Sequence, residues 1–168
     1  MAIPAYLWLQ GDGGADIKES VDVQDRDSSI EIAGFSHNLS IPTDRMTEKI
    51  TGTRKHSAVL LQKEFDSSFP YLYKAVATGQ TLTSAEFKWY TINDVGQEAE
   101  YFRILLEGVK AVGVSPVMHN TKAPTEETHS HLECIKLRYE KNTRKYCNGN
   151  VQFTDAWNGR AQAWDIQH

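Results

Sequence analysis

Little in this sequence of 168 residues points to a disulfide staple, a membrane or a nucleic acid. Its two cysteines, Cys134 and Cys147, are too few for a disulfide framework and lack the CxxC spacing of a metal or redox site. Both are expected as reduced structural thiols, with a bridge between them left open. No stretch approaches the roughly 18 consecutive apolar residues of a membrane span, so no membrane insertion is expected. Charge of neither sign dominates: 18 Lys and Arg against 22 Asp and Glu leave a net charge of -4. The basic residues are locally dense only at Lys136–Arg138 and Lys141–Lys145, which read as solvated strand faces, and no nucleic acid partner is expected. The start Met1-Ala2-Ile3-Pro4-Ala5-Tyr6-Leu7-Trp8 has no basic n-region, and its apolar run breaks at Gln10-Gly11-Asp12. It is not a secretory signal, so synthesis and folding in the cytoplasm are expected, with any export by a route that ignores signal peptides.

What is present is a globular composition, 40% hydrophobic and 24% charged, long enough for one domain with its own core. Most of the chain alternates as strands do. Ala5 to Leu9 is an aromatic-aliphatic run ending in Gly11-Asp12-Gly13-Gly14, a tight turn without the spacing or following helix of a phosphate loop. Ile30 and Ile32 alternate, Gly34 intervenes, and Phe35, His37 and Leu39 continue in shifted phase, as at a β-bulge. Val59-Leu60-Leu61 within Ser57–Phe65 reads as a strand covered on both faces. Ala85, Phe87 and Trp89 alternate, as do Phe102, Ile104 and Leu106; Gly108 offers a bend before Val109, and Ile135, Leu137 and Tyr139 form the last clear set. One helix is expected around residues 67–78, with a capping residue, Pro70 in its first turn, Gly79 to close it, and an apolar face of Phe69, Leu72, Tyr73 and Val76. The predicted fold is all-β: a closed or nearly closed β-barrel, made as two packed sheets, with one flanking α-helix.

Two segments lack a core pattern. Ile41–His56 alternates charge sign and is rich in threonine, which suits an extended arm that contacts or pairs with another chain. Asn120–His129 is a second long polar loop.

No catalytic constellation emerges, so no enzyme, no catalytic residue, no cofactor and no metal is expected. His129-x-His131 with His119 is the nearest approach to a zinc site, but no Cys or carboxylate stands at ligand spacing, and Glu126-Glu127 read as loop charges. The tryptophans raise an alternative class, an all-β module binding a glycan or small ligand on aromatic platforms. Trp8 and Trp89 sit on the apolar phase of strands and are expected in the core, whereas Trp157 and Trp164 lie in a polar tail.

Specific strings then carry a resemblance. Gly34-Phe35-Ser36-His37-Asn38 with Pro42-Thr43 and Thr51-Gly52-Thr53-Arg54 comes first; Lys63-Glu64-Phe65-Asp66-Ser67-Ser68 follows, leading into Pro70-Tyr71-Leu72-Tyr73-Lys74-Ala75-Val76. Thr78-Gly79-Gln80-Thr81-Leu82, Ala85-Glu86-Phe87-Lys88-Trp89-Tyr90 and Val114-Ser115-Pro116-Val117-Met118-His119 continue it, and Tyr146-Cys147-Asn148-Gly149-Asn150 ends it. In that order the set resembles the Hcp tube proteins of bacterial type VI secretion systems, from about Ala2 to Asp155. The resemblance implies a β-barrel domain over residues 1–155 and a C-terminal tail over 156–168. It also implies a homo-hexamer stacking into tubes, with contractile sheath proteins, a spike protein at the tip and secreted effectors as partners. The protein itself would be exported to the extracellular space or a target cell. Carried onto this sequence, Ile41–His56 would be the arm reaching a neighbouring ring, with Thr43, Asp44, Arg45, Thr53 and Arg54 as contact residues. The 13 residues of the tail are too few for an enzyme domain of their own.

Overall fold

The computed structural model describes residues 3–11, 16–17, 29–123 and 131–156. The chain is mostly strand: β1 (Ala5–Gln10), β2 (Asp16–Ile17), β3 (Ile30–Ile32), β4 (Gly34–Ser36), β5 (Leu39–Ser40), β6 (Lys55–His56) and β7 (Val59–Glu64) precede the helix α1 (Phe69–Thr78). After it come β8 (Thr81–Ile92), β9 (Glu98–Val117), β10 (Leu132–Arg138), β11 (Lys141–Tyr146) and β12 (Val151–Ala156). The expected all-β chain with one helix is met as a large antiparallel sheet in the order β2-β1-β8-β9-β10-β7-β4, to which β11, β12 and β3 attach. β5 and β6 form a separate two-stranded sheet.

The glycine expected to mark a bulge marks a change of partner. Ile30–Ile32 pairs with β1; then Ala33 N–H donates to the Gln62 carbonyl at 2.7 Å, and Gly34–Ser36 pairs with β7. Gly108 likewise divides β9. Before it, Phe102–Glu107 pairs with β11; after it, Lys110–Val117 pairs with β10, while β8 runs along the other edge. At φ +63° Gly108 adopts a backbone that an L side chain resists, and a Cβ there would lie 2.8 Å from the Glu140 carboxyl. The bend is therefore one long strand passing between two neighbours.

The core lies on the inner faces of these strands: Leu7 and Leu9, Ile30 and Ile32, Val59 and Leu61, Ala85 and Phe87, Ile104 and Leu106, Ile135 and Leu137. Their period of two is what a sheet with one covered face requires. β7 departs from expectation here. It alternates strictly between buried and exposed, and Leu60 points outward because the described residues cover one face only. Trp8 also departs: it sits on the outer phase of β1 with the Lys88 ammonium 4.5 Å over its ring, whereas Trp89 packs on the core beside Phe35 and Phe87.

The helix begins at Phe69, with Ser68 at the N-cap, but the Ser68 side chain makes no capping bond. Asp66 organises the turn instead, its Oδ1 accepting from the Ser68 amide at 2.9 Å and from the Ser68 hydroxyl. Gly79, at φ 66°, ends the helix in a left-handed cap. The buried face is Leu72 and Ala75 with Val76 packed against the core; Tyr73, expected inside, is exposed and joins the ring series His131, Phe65, Phe69, Tyr73 on the surface.

Candidate assembly surface

Residues 38–57 leave the large sheet and return to it as a long hairpin. At its base β5 pairs with β6, and the Ser57 amide donates to the Asn38 carbonyl at 2.9 Å. Further out the Thr51 amide donates to the Pro42 carbonyl at 2.9 Å, Thr43 bridges to Ile50, and the Asp44 amide donates to the Lys49 carbonyl at 2.8 Å. The tip is closed by the Asp44 carboxylate, whose Oδ1 accepts from the amides of Met46 at 2.7 Å and Thr47 at 3.0 Å. Those amides, Thr47 first and then Met46, hold its carboxyl below the ordinary carboxylate range. The arm expected to pair with another chain thus pairs with itself, and projects as a preformed element. Among the described residues its apolar side chains find little cover: Leu39 and Ile41 are half exposed, Ile50 is 64% exposed and Met46 91% exposed.

Of the five expected contact residues, Thr43, Asp44, Arg45 and Thr53 lie exposed on this arm. Arg54 is engaged within the chain. Its Nε donates to Asp155 Oδ2 at 2.6 Å, and its Nη2 donates to Asp155 Oδ1 at 2.8 Å and to the Ala156 carbonyl at 2.6 Å. This bidentate clasp fixes the returning limb of the arm to β12.

Behind the clasp lies a polar network that sequence reading did not assemble. His56 Nε2 is 2.9 Å from Asp155 Oδ2, and its Nδ1 is 2.5 Å from the Tyr139 hydroxyl. The same hydroxyl is 2.8 Å from His37 Nε2, and Arg144 Nη2 donates to His37 Nδ1. Burial, then the positive charge of Arg144 and the neighbouring His56, bring the His37 pKa down to about 4. Burial pushes the Tyr139 phenol up to about 12. Tyr139 read only as the end of an alternating set and His37 only as a strand residue; partners some 100 positions away leave no local trace in sequence.

Beside the arm base a cavity of about 600 Å³ is lined by Arg54, Lys55, Lys110 and Arg138, with Glu140 the one carboxylate and Val112 an exposed apolar wall. At the far end of β8, about 12 residues and roughly 40 Å away, the β8–β9 turn has the opposite character. Asp94 and Glu98 flank exposed Val95, next to exposed Ile92, and no basic residue occurs between Lys88 and Arg103. Asn93 stiffens this turn: its Oδ1 accepts from the amides of Val95 at 3.1 Å and Gln97 at 2.9 Å.

The remaining sequence candidates are dispersed. His131 tilts over Phe65 with ring centroids 5.6 Å apart; His129, Glu126, Glu127, Trp157 and Trp164 lie outside the described residues. Cys134 and Cys147 are free thiols. Among the described residues no group of three or more His, Cys, Asp and Glu could hold a metal ion.

Residues 6–146 match the family model described as type VI secretion system effector, Hcp. The chain belongs to the Hcp family. A curated relative, the major exported protein of Pseudomonas aeruginosa, is 30% identical over 166 residues, spanning 94% of this chain and 96% of its own length. A solved structure of a doubly substituted Hcp1 protein from the E. coli EAEC 042 pathovar is 62% identical. It covers 93% of this chain and 99% of that one, with a TM-score of 0.84. A further Hcp crystal structure shares the fold at a TM-score of 0.85 with 19% identity, covering 93% of this chain and 98% of that one. Hcp proteins form hexameric tubes and are structural, non-enzymatic components of type VI secretion. This Hcp-family chain is accordingly a secreted tube protein and not an enzyme.

Proposed function

We propose that this chain builds the inner tube of a type VI secretion machine by closing its sheet into a barrel, joining six copies in a ring, and stacking rings head to tail through the arm. The observation that carries the stacking role is the arm itself: a hairpin closed by its own hydrogen bonds that leaves Leu39, Ile41, Met46 and Ile50 uncovered. Thr43, Asp44, Arg45 and Thr53 are its contact residues, and Arg54 is the clasp that aims it. Support for closure comes from the strand Ile30–Ser36, bonded first to β1 and then to β7, the two flanks that a barrel must join. The compact domain spans 1–155 and the tail 156–168.

Charge supplies the polarity. Head-to-tail contacts are heterologous, so unlike surfaces meet. The acidic, apolar-tipped β8–β9 turn of one copy complements the basic cavity beside the arm base of the next, with Val95 opposite Val112. Such contacts steer association and weaken as salt rises, which suits a tube that forms and disperses. The tube would be made in the cytoplasm, enclosed by contractile sheath proteins, tipped by a spike protein, and exported with its effectors without a signal peptide.

The experiment is a charge swap read by native mass spectrometry for rings and electron microscopy for tubes. Asp94→Lys with Glu98→Lys should keep hexamers and abolish tubes, as should Lys110→Glu with Arg138→Glu. Mixing the two variants should restore tubes of alternating rings. Full tube formation by either variant alone would refute the docking.

A further inference from the structure

With both histidines neutral, the network at the arm base has one self-consistent set of protons. Arginine can only donate, so His37 Nδ1 must be a bare acceptor facing Arg144. A neutral His37 then carries its proton on Nε2 and gives it to the Tyr139 oxygen. Tyr139 must in turn donate to His56 Nδ1, which leaves the His56 proton on Nε2, aimed at the Asp155 carboxylate. The other end of the chain imposes the same order, because a carboxylate already held by Arg54 can only accept. Five residues on five segments, Arg144 of β11, His37 after β4, Tyr139 between β10 and β11, His56 of β6 and Asp155 of β12, form one directional chain. It ties both limbs of the arm, at His37 and at Arg54–His56, to the sheet.

We propose that this chain is a proton-operated latch on the arm, and that a second proton on His37 opens it. Such a proton has one place to go, Nδ1, where it meets the guanidinium of Arg144: donor faces donor and cation faces cation. A proton on His56, by contrast, would add charge beside Asp155 and leave Tyr139 able to accept from both rings. His37 is therefore the gate. The groups facing it are Arg144, Tyr139, His56 and the Ser57 backbone, whose hydrogen bond favours a charged ring but weighs less than burial, Arg144 and His56. Asp155 and Arg54 lie one bond further along, and none of these groups sets a carboxylate directly against the ring.

The direction of the pH effect follows. In the released state His37 takes up a proton near the ordinary pKa of 6.5, and in the latched state only near 4. Below 6.5 the released state binds more protons, so latching is complete above that pH and is lost progressively as pH falls towards 4. In this window each pH unit should raise the open fraction by up to tenfold. The inference rests on the arm base alone and stands whether or not the arm mediates stacking.

Hydrogen exchange read by mass spectrometry, on assembled protein from pH 7.5 to 4 and with rates corrected for the intrinsic pH dependence of exchange, tests it. Peptides spanning residues 38–57 should lose protection stepwise below pH 6.5 while the inner strands β8 and β9 hold theirs. His37→Gln offers its carbonyl to Arg144 and its amide to Tyr139 but cannot titrate, so its corrected profile should be flat. Arg144→Gln, which gives a Nδ1 proton an acceptor, should flatten the profile too, and guards against misfolding of the first variant. A flat profile in the unmodified protein, or an unchanged pH dependence in both variants, would overturn the latch.

Discussion

Lys63 and Glu133 face inward on neighbouring strands, 0% and 1% exposed, where apolar side chains would be the ordinary choice. The Lys63 ammonium lies 2.5 Å from Glu133 Oε2 and 2.7 Å from Asp66 Oδ1, the same oxygen that orders the turn into α1. One buried cation thus serves two carboxylates and the helix start. Burial drives the Glu133 carboxyl above its ordinary pKa, against the pull of Lys63. Lys63→Met should therefore cost about 3–5 kcal/mol in a denaturant melt, because it leaves a charge buried and unpaired. The loss should shrink as pH falls, since the folded state then takes a proton on Glu133 more readily than the unfolded chain does. A pH-independent loss would mean that packing, not charge, sets the cost. From sequence, Lys63 carried no signal of burial; a lysine in a strand looks like a solvent residue until its partners are placed around it. Arg54 misled in the opposite direction, because a charge in a polar loop gives no hint of a carboxylate about 100 residues away.

Among the elements, α1 was the most legible, since Pro70 and Gly79 punctuate it within a few residues of sequence. Its buried face was less so: Tyr73 fits the helical period but tilts against Phe69 on the surface, and Leu72 with Ala75 does the packing. Leu72→Ala should lose about 2–5 kcal/mol, while Tyr73→Ala should change a thermal melt little. Two of the glycines of positive φ, Gly79 and Gly108, separate by what surrounds them. Gly79→Ala meets open space and should cost about 1 kcal/mol for its left-handed backbone. Gly108→Ala adds a clash with Glu140 and should cost more, partly relieved in a Gly108→Ala, Glu140→Ala double variant; equal costs for the two single substitutions would remove the steric argument. The strands themselves were read from alternation, and Leu60 shows where that signal stops. Consecutive apolar residues report that both faces avoid water, yet the described residues leave one face of β7 exposed.

For the whole molecule, the period of two and the single helix led to the mostly β fold, and the loop without a core pattern led to the arm. The route by which Ile30–Ser36 bonds to β1 and then β7 needed coordinates, because pairing between strands distant in sequence is decided by register and not by composition. Assembly entered through family resemblance, since symmetry between copies leaves no periodic mark on one chain.

β9 runs 20 residues, bent once at Gly108, and shares its hydrogen bonds with β8 along one edge and with β11 and β10 in tandem along the other. A pull along that strand would have to shear both edges at once, across bonds set perpendicular to the force, instead of unzipping them in turn. The chain therefore contains an axial beam, and a ring of six such chains would resist being stretched or crushed along β9 far better than across it.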